Sequence, residues 1–440
     1  MRIPALCLSA LLASGVAGAQ TRPVTVDDVL GLRVVGNGPV ISPDGRAVLF
    51  TVRSWVDAGG GKKDARTAIW RAPADGSAPA RQITFGDRGE SQPGWSPDGR
   101  SMSFVATRGK DARAQVWVLR ADGGEARPLT AADENVQAYA WSPDSQRLAY
   151  TVADTRPADE KTAVERRDDE RPFEQPAPNV HLWVVEVATG AATRITSGDA
   201  FTIQGGLSWS RDNTHVAFAA GASALLRDGR RDVYVADLAA KTAEKISANI
   251  GPDTNPRFSP DGRSVAYLAT PVTAPAIADG TPKGTVGQQH VMLYDLATKA
   301  TRDVTGQLAV DPGDPHWSAD GTRILFAAGT RAYNEVWSLE VASGRATALT
   351  KGRTLQLGSF SADGAKAAVV LDTPTAPPDV HVADATFSSF TKVSDINPQA
   401  AQFALGASEV ITWKSRDGLE VEGILLKPVG RSEEHTSELQ

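Results

Sequence analysis

Trp95-Ser96-Pro97-Asp98-Gly99-Arg100, running on into Ser101-Met102-Ser103-Phe104-Val105, is one of seven versions of a single phrase in this 440-residue chain. The others are Ser42-Pro43-Asp44-Gly45, Ser142-Pro143-Asp144-Ser145, Ser210-Arg211-Asp212-Asn213, Ser259-Pro260-Asp261-Gly262, Ser318-Ala319-Asp320-Gly321 and Ser361-Ala362-Asp363-Gly364. Successive serines stand 54, 46, 68, 49, 59 and 43 residues apart. The phrase has the chemistry of a tight turn. Proline presets φ at its second position, Ser and Asp side chains bond nearby backbone amides, and glycine accepts positive φ. Ser145 and Asn213 replace the glycine in two copies, and asparagine is the better substitute because it tolerates the left-handed region.

Working outward, an aromatic residue usually precedes the turn (Trp95, Trp141, Trp209, Phe258, Trp317, Phe360), and an apolar strand such as Leu148-Ala149-Tyr150 or Ile324-Leu325-Phe326 follows it. A second strand comes next, as in Val116-Trp117-Val118-Leu119 or Val336-Trp337-Ser338-Leu339. A polar turn then leads to a closing strand that ends in Ile83-Thr84, Leu129-Thr130, Ile195-Thr196 or Leu349-Thr350. Four short strands in roughly 45 residues is the size of a propeller blade. The expected fold is therefore all-β, a seven-bladed β-propeller of four-stranded blades over residues 40–395. The aromatic is expected to pack one blade on the next, since a lone blade cannot bury both faces. The longest step contains Asp154 to Pro178, rich in Asp, Glu and Arg, which reads as a solvated insertion at one rim.

The balance of charge is mildly acidic, −6 overall with no Lys/Arg-rich block, so nucleic-acid binding has no electrostatic footprint. No segment reaches the apolar length needed to cross a bilayer as a helix, so no membrane insertion is expected. Seven regularly spaced aspartates could suggest calcium, but each sits where turn chemistry wants Asp and the full calcium-loop pattern is missing. His181, His215, His290, His316 and His381 are scattered, with no pair at ligand spacing. No metal and no cofactor are expected.

The ends carry separate signals. Residues 1–19 read as a secretory signal peptide, with Arg2, the apolar stretch Ala5 to Ala13 and an Ala17-Gly18-Ala19 cleavage site. Cleavage near Ala19 would place the protein in the periplasm or outside the cell. Cys7, the one cysteine, lies in that signal, so the mature chain is expected to have no thiol chemistry. Residues 20–39 read as an N-terminal helical segment: Thr25-Val26-Asp27-Asp28 resembles a capping box. Residues 396–430 read as a linker and a β-hairpin, Glu409 to Pro428, turning at Asp417-Gly418. The final decapeptide, Arg431 to Gln440, matches the translation of a common sequencing-library adapter. Residues 431–440 are read as an artefact and the natural sequence as interrupted near Gly430.

The Trp-Ser-Pro-Asp-Gly-Arg phrase with its following strand resembles the propellers of the prolyl-oligopeptidase family of serine peptidases, in its dipeptidyl-peptidase and acylaminoacyl-peptidase branches. It is also similar to TolB-type periplasmic propellers. Seven blades and the hairpin Ser415-Arg416-Asp417-Gly418 to Gly423-Ile424-Leu425 and Pro428 favour the peptidases, whose α/β-hydrolase domain opens with such a hairpin.

The resemblance implies a secreted serine exopeptidase or oligopeptidase that hydrolyses short peptides through an acyl-enzyme, with the propeller gating access. That chemistry needs a G-x-S-x-G elbow followed by Asp and His, and no such elbow occurs in the chain. The triad is expected in a missing hydrolase domain, the cis partner of this propeller, and the chain as it stands is expected to be inactive. In the dipeptidyl-peptidase branch, propeller acids hold the substrate's α-amino group, which makes Glu165 and Glu170 the candidate substrate-binding residues. The same charges, with Arg166, Arg167 and Arg171 beside them, better suit a solvated loop. The alternative is a non-enzymatic TolB-type propeller that binds a protein partner.

Overall fold

The computed structural model describes residues 21–36, 38–109, 112–156, 162, 166, 177–223, 230–249, 251–271 and 287–429. They form seven antiparallel sheets followed by a two-stranded hairpin. Each sheet is one blade, its strands in chain order from the axis outward, for example Glu90–Trp95, Ser101–Ala106, Gln115–Arg120 and Arg127–Pro128 in blade 2. In blades 1 and 6 the innermost strand is broken into two short pieces, Val34–Val35 with Val40–Ile41, and Asp311–Pro312 with His316–Trp317. The fold is a seven-bladed β-propeller.

The turn phrase works identically in every blade. The serine hydroxyl donates to the aspartate two residues on, at 2.5 to 2.6 Å in all seven copies. The same hydroxyl accepts from the backbone N–H five residues on, and the aspartate accepts from the N–H two residues beyond itself. Local amides that the first and second strands cannot pair are thereby satisfied. The fourth position is left-handed throughout, at φ 62° for Ser145 and Asn213 and near 70° for the glycines. The two substitutes also tie neighbouring turns: Ser145 Oγ accepts from Asp98 N at 3.0 Å, and Asn213 Oδ1 from Asp144 N at 3.2 Å.

A second hydroxyl device sits at the opposite end of each blade. The Thr or Ser that closes the fourth strand accepts from an N–H of the third strand, 2.7 to 2.9 Å away, at Thr84, Thr130, Thr196, Ser247, Thr305, Thr350 and Ser394. The outer strand is only two to four residues long, so this bond extends a ladder that would otherwise fray.

The core is divided among the blade interfaces, because strand residues alternate between the two faces of a sheet. In blade 4, Val216 and Phe218 pack toward blade 3, while Ala217 packs toward blade 5 beside Val265 and Tyr267. The tryptophans before the turns reach backward: Trp95 Nε1 donates to Val40 O, Trp209 Nε1 to Ala140 O and Trp317 Nε1 to Arg257 O, at 3.0 to 3.2 Å. Arg71 and Arg147 of the preceding blades cover the Trp95 and Trp209 rings at 5.5 and 5.3 Å.

Blade 7 meets blade 1 through the same kind of interface. Val370, Val380, Val382 and Ile396 pack against Val35, Val48, Phe50 and Val52. Among the described residues no strand is exchanged; the seam is drawn together by Ser359 N to Pro39 O (3.0 Å), Ile41 N to Ser359 Oγ (2.9 Å) and a reciprocal pair between Asn397 and Arg33. The chain ends run alongside this seam. The helix Val26–Gly31 is capped by Thr25, whose hydroxyl accepts from Asp28 N, and Arg22 pairs with Phe403 in an isolated bridge. The hairpin Ser408–Lys414 and Glu420–Leu426 follows, and its turn, Ser415-Arg416-Asp417-Gly418, is an eighth copy of the blade phrase with the same Ser–Asp bond.

Candidate functional site

The two ends of the propeller differ in what they carry. The serine turns and the connections between third and fourth strands share one end. Chain entrance, chain exit and the hairpin share the other: Val34 and Val35 pair with Arg53 and Val52, at the end of their strand remote from the turn. Arg331, at the tip between the second and third strands of blade 6, bonds both Glu420 (2.8 Å) and Glu422 (2.7 Å) of the hairpin.

At the turn end the axis opens into a cavity of about 570 Å³. Pro143, Trp209, Pro260, Trp317 and Phe360 contribute to its wall from five successive blades, and only a space on the axis touches that many blades of a ring. The position two residues before each turn serine points toward the following blade. In five copies it is small or aliphatic: Val40, Gly94, Ala140, Ser208 and Ser359. At Gly94 a side chain would meet the Tyr139 hydroxyl at 2.9 Å, which is why nothing larger stands there.

Blades 5 and 6 break the pattern with Arg257 and His316, and both line the cavity. Arg257 Nη1 donates to Pro256 O at 3.1 Å, while the nearest carboxylate, Asp314, stands 3.9 Å from Nη2, beyond hydrogen-bond reach. Asp314 is itself engaged by Asn255 Nδ2. The His316 ring lies 5.6 Å from Phe360. Burial, helped by the Arg257 charge, pushes the His316 imidazole down to about 3, so it is neutral at physiological pH. Burial also draws Arg257 below its ordinary value, with Asp314 opposing. This arrangement can present fixed N–H donors to an anionic or carbonyl oxygen beside an aromatic wall.

At the other end, Asp154 accepts from Arg194 (2.8 Å) and contacts buried His181 (3.1 Å), whose imidazole is lowered chiefly by burial. Asp253 is fully buried, with one oxygen on Asn249 at 3.1 Å and the other without a partner, and burial pushes its carboxyl up to about 6. His290 pairs with Asp303 at 2.7 Å, His215 contacts Thr214 at 2.7 Å, and His381 contacts the Asp379 carbonyl at 3.1 Å. The five histidines within the propeller are thus distributed over five blades. Each turn aspartate is committed to its own turn. Glu165 and Glu170 lie outside the described residues, as do residues 1–20 and 430–440. Arg257 and Asp314 were not singled out from the sequence. For Arg257 the signal is present, since it replaces a small residue once the seven copies are aligned on their serines.

No family model matches the chain. An uncharacterized peptidase, YuxL, of Bacillus subtilis is 36% identical over 110 residues, 24% of this chain and 15% of that protein. The acylamino-acid-releasing enzyme of Sus scrofa is 26% identical over 220 residues, 45% of this chain and 28% of its own length. Among solved structures, the acylaminoacyl peptidase of Pyrococcus horikoshii superposes with a TM-score of 0.65 at 15% identity, covering 91% of this chain and 59% of that one. The chain therefore spans well under two thirds of each of these proteins. By sequence and by fold it is similar to the propeller portion of the prolyl-oligopeptidase family of peptidases.

Proposed function

We propose that this chain is the substrate-gating propeller of a secreted serine peptidase that cleaves short peptides, and that an α/β-hydrolase domain follows residue 430 in the complete gene. The observation that carries the reading is the hairpin after blade 7: it lies outside the ring, bears exposed Trp413, Ile424 and Leu426, and is anchored to the rim by Arg331. Apolar side chains on both strands of an isolated hairpin call for a further partner surface. The similarity to peptidases over the propeller supports the same reading. Export through residues 1–19 and an α-amine anchor at Glu165 or Glu170 belong to the proposal.

Sequencing the gene past the codon for Gly430, then expressing the complete frame, tests it. The expected product contains a G-x-S-x-G elbow, hydrolyses dipeptide and tripeptide chromogenic substrates, and loses activity when the elbow serine becomes alanine. Glu165→Gln and Glu170→Gln should raise KM for substrates with a free N-terminus. A natural stop within a few codons of Gly430 would refute the enzyme reading and leave a propeller that binds a protein partner.

A further inference from the structure

The seven-fold repeat makes departures from it informative, and the axial cavity at the turn end holds two adjacent ones. Arg257 and His316 occupy positions that are small or aliphatic in the other five blades. His316 does pack on Phe360 of the next blade, but the interfaces of blades 1 to 4 and 7 close with small or aliphatic residues at this position, so blade packing as such requires neither an arginine nor a histidine. A guanidinium in a partly enclosed site is held by paired acceptors where its only role is structural. Here the nearest carboxylate stays 3.9 Å from Nη2, Nη1 meets only the Pro256 carbonyl, and Arg257 lines the cavity. The two aspartates on the same wall, Asp320 and Asp363, offer little competition, since their Oδ1 atoms accept from Ser318 and Ser361 at 2.6 Å and from the turn amides.

We propose that this cavity is a binding site for the free α-carboxylate of a short peptide, with Arg257 as the anion's partner and His316 as a second N–H donor. The planar fork of an arginine matches the two oxygens of a carboxylate, which a lysine would not do. Trp317 and Phe360 flank the pair and supply an apolar wall for the peptide's last side chain. Because His316 stays neutral, it adds a donor without adding a second charge that would oppose Arg257. The inference rests on the peptidase reading above and adds a chemical preference to it: peptides with free C-termini are captured at the turn end of the channel.

The test is a calorimetric titration of Ala-Ala-Leu and of its C-terminal amide into the full chain. The free acid is expected to bind at least tenfold more tightly than the amide. Arg257→Met should reduce the acid to the amide's affinity without changing the amide, and Arg257→Lys should recover only part of the difference. An unchanged melting temperature shows that each variant keeps the ring intact. His316→Gln, which removes a different donor, gives a second reading if Arg257→Met does not fold, and it should narrow the acid–amide difference. Equal affinity for acid and amide would overturn the carboxylate site while leaving peptide capture by the propeller standing. Binding of neither peptide would also overturn it, and the peptidase reading would still be judged separately by the complete gene.

Discussion

Gly358→Ala is the sharpest probe of how this ring stays shut. A Cβ at position 358 would stand 2.2 Å from Pro39 O, 2.8 Å from Ala368 O and 2.9 Å from Pro39 Cδ. Two of those neighbours are backbone atoms, so no rotamer change relieves them. Blade 1 would have to move, and moving it breaks the Ser359 N to Pro39 O bond and strains Ile41 N to Ser359 Oγ. Overpacking costs about 1–3 kcal/mol, and each lost hydrogen bond about 1 kcal/mol. Against this, alanine restricts the unfolded chain and returns about 0.4–1 kcal/mol. The net expectation is a loss of about 2–4 kcal/mol, concentrated at one of seven interfaces.

Thermal melts should therefore fall by several degrees. Hydrogen exchange should accelerate first at Ser359 and in the blade 1 strand Ala47–Gly59. Gly329→Ala is the control: it sits in a strand of blade 6 with nothing within 4 Å of the added methyl, and should melt within a degree or two of wild type. If Gly358→Ala matched Gly329→Ala in both measurements, the seam would not be the close backbone approach described here.

Asp253 makes stability depend on pH. Its folded carboxyl titrates at about 6, above the unfolded value, so its contribution is most favourable below the unfolded pKa and is lost as pH rises to about 6. Asp253→Asn should match wild type near pH 4 and be more stable at pH 7 by on the order of 2 kcal/mol; parallel melting profiles from pH 4 to 7.5 would reject this. Ser142→Ala removes a buried hydroxyl that donates to Asp144 and accepts from Arg147 N, and should cost about 1–3 kcal/mol in denaturant melts. The same change at Ser318, where the turn is more open, should cost less. Deleting residues 405–440 should raise soluble yield by removing the exposed hairpin, and an equal or lower yield would count against a docking surface there.

The blades were readable from the sequence because their defining device is local. Serine, aspartate and the amides they hold lie within six residues, so the phrase carries its own explanation wherever it occurs. The hydroxyl residue that ends a blade was visible in four blades as a Leu-Thr or Ile-Thr signature, but its purpose was not, because its donor lies across the strand register, as Val116 does for Thr130. Ring closure was not readable at all. Gly358 looks like any glycine in Leu357-Gly358-Ser359-Phe360, and the demand for it comes from Pro39 at the other end of the chain. The candidate site falls between these cases. Arg257 and His316 show as breaks in an aligned repeat, whereas Asp314 does not, because the interrupted inner strand of blade 6 shifts the spacing there.

The physical difference between the two ends of the propeller limits where function can reside. At the turn end each connection between first and second strands is tied by a serine, an aspartate and a left-handed fourth residue, and neighbouring turns touch: a Cβ at Gly99 would meet Pro43 at 3.8 Å and one at Gly321 would meet Pro260 at 3.6 Å. Such an end has little freedom to rearrange, so a ligand there must be recognised by groups already in place, as Arg257 and His316 are. The other end carries the chain's arrival at Val34, its departure past Asn397, and the hairpin held by Arg331. Any domain continuing from residue 429 begins on that side. A peptide reaching such a domain along the axis would pass the cationic mouth first, and a carboxylate held there would orient the N-terminal end of the peptide inward. On the proposed reading the propeller would select by which end of a peptide it admits as well as by size, and exchanging Arg257 should alter that selection.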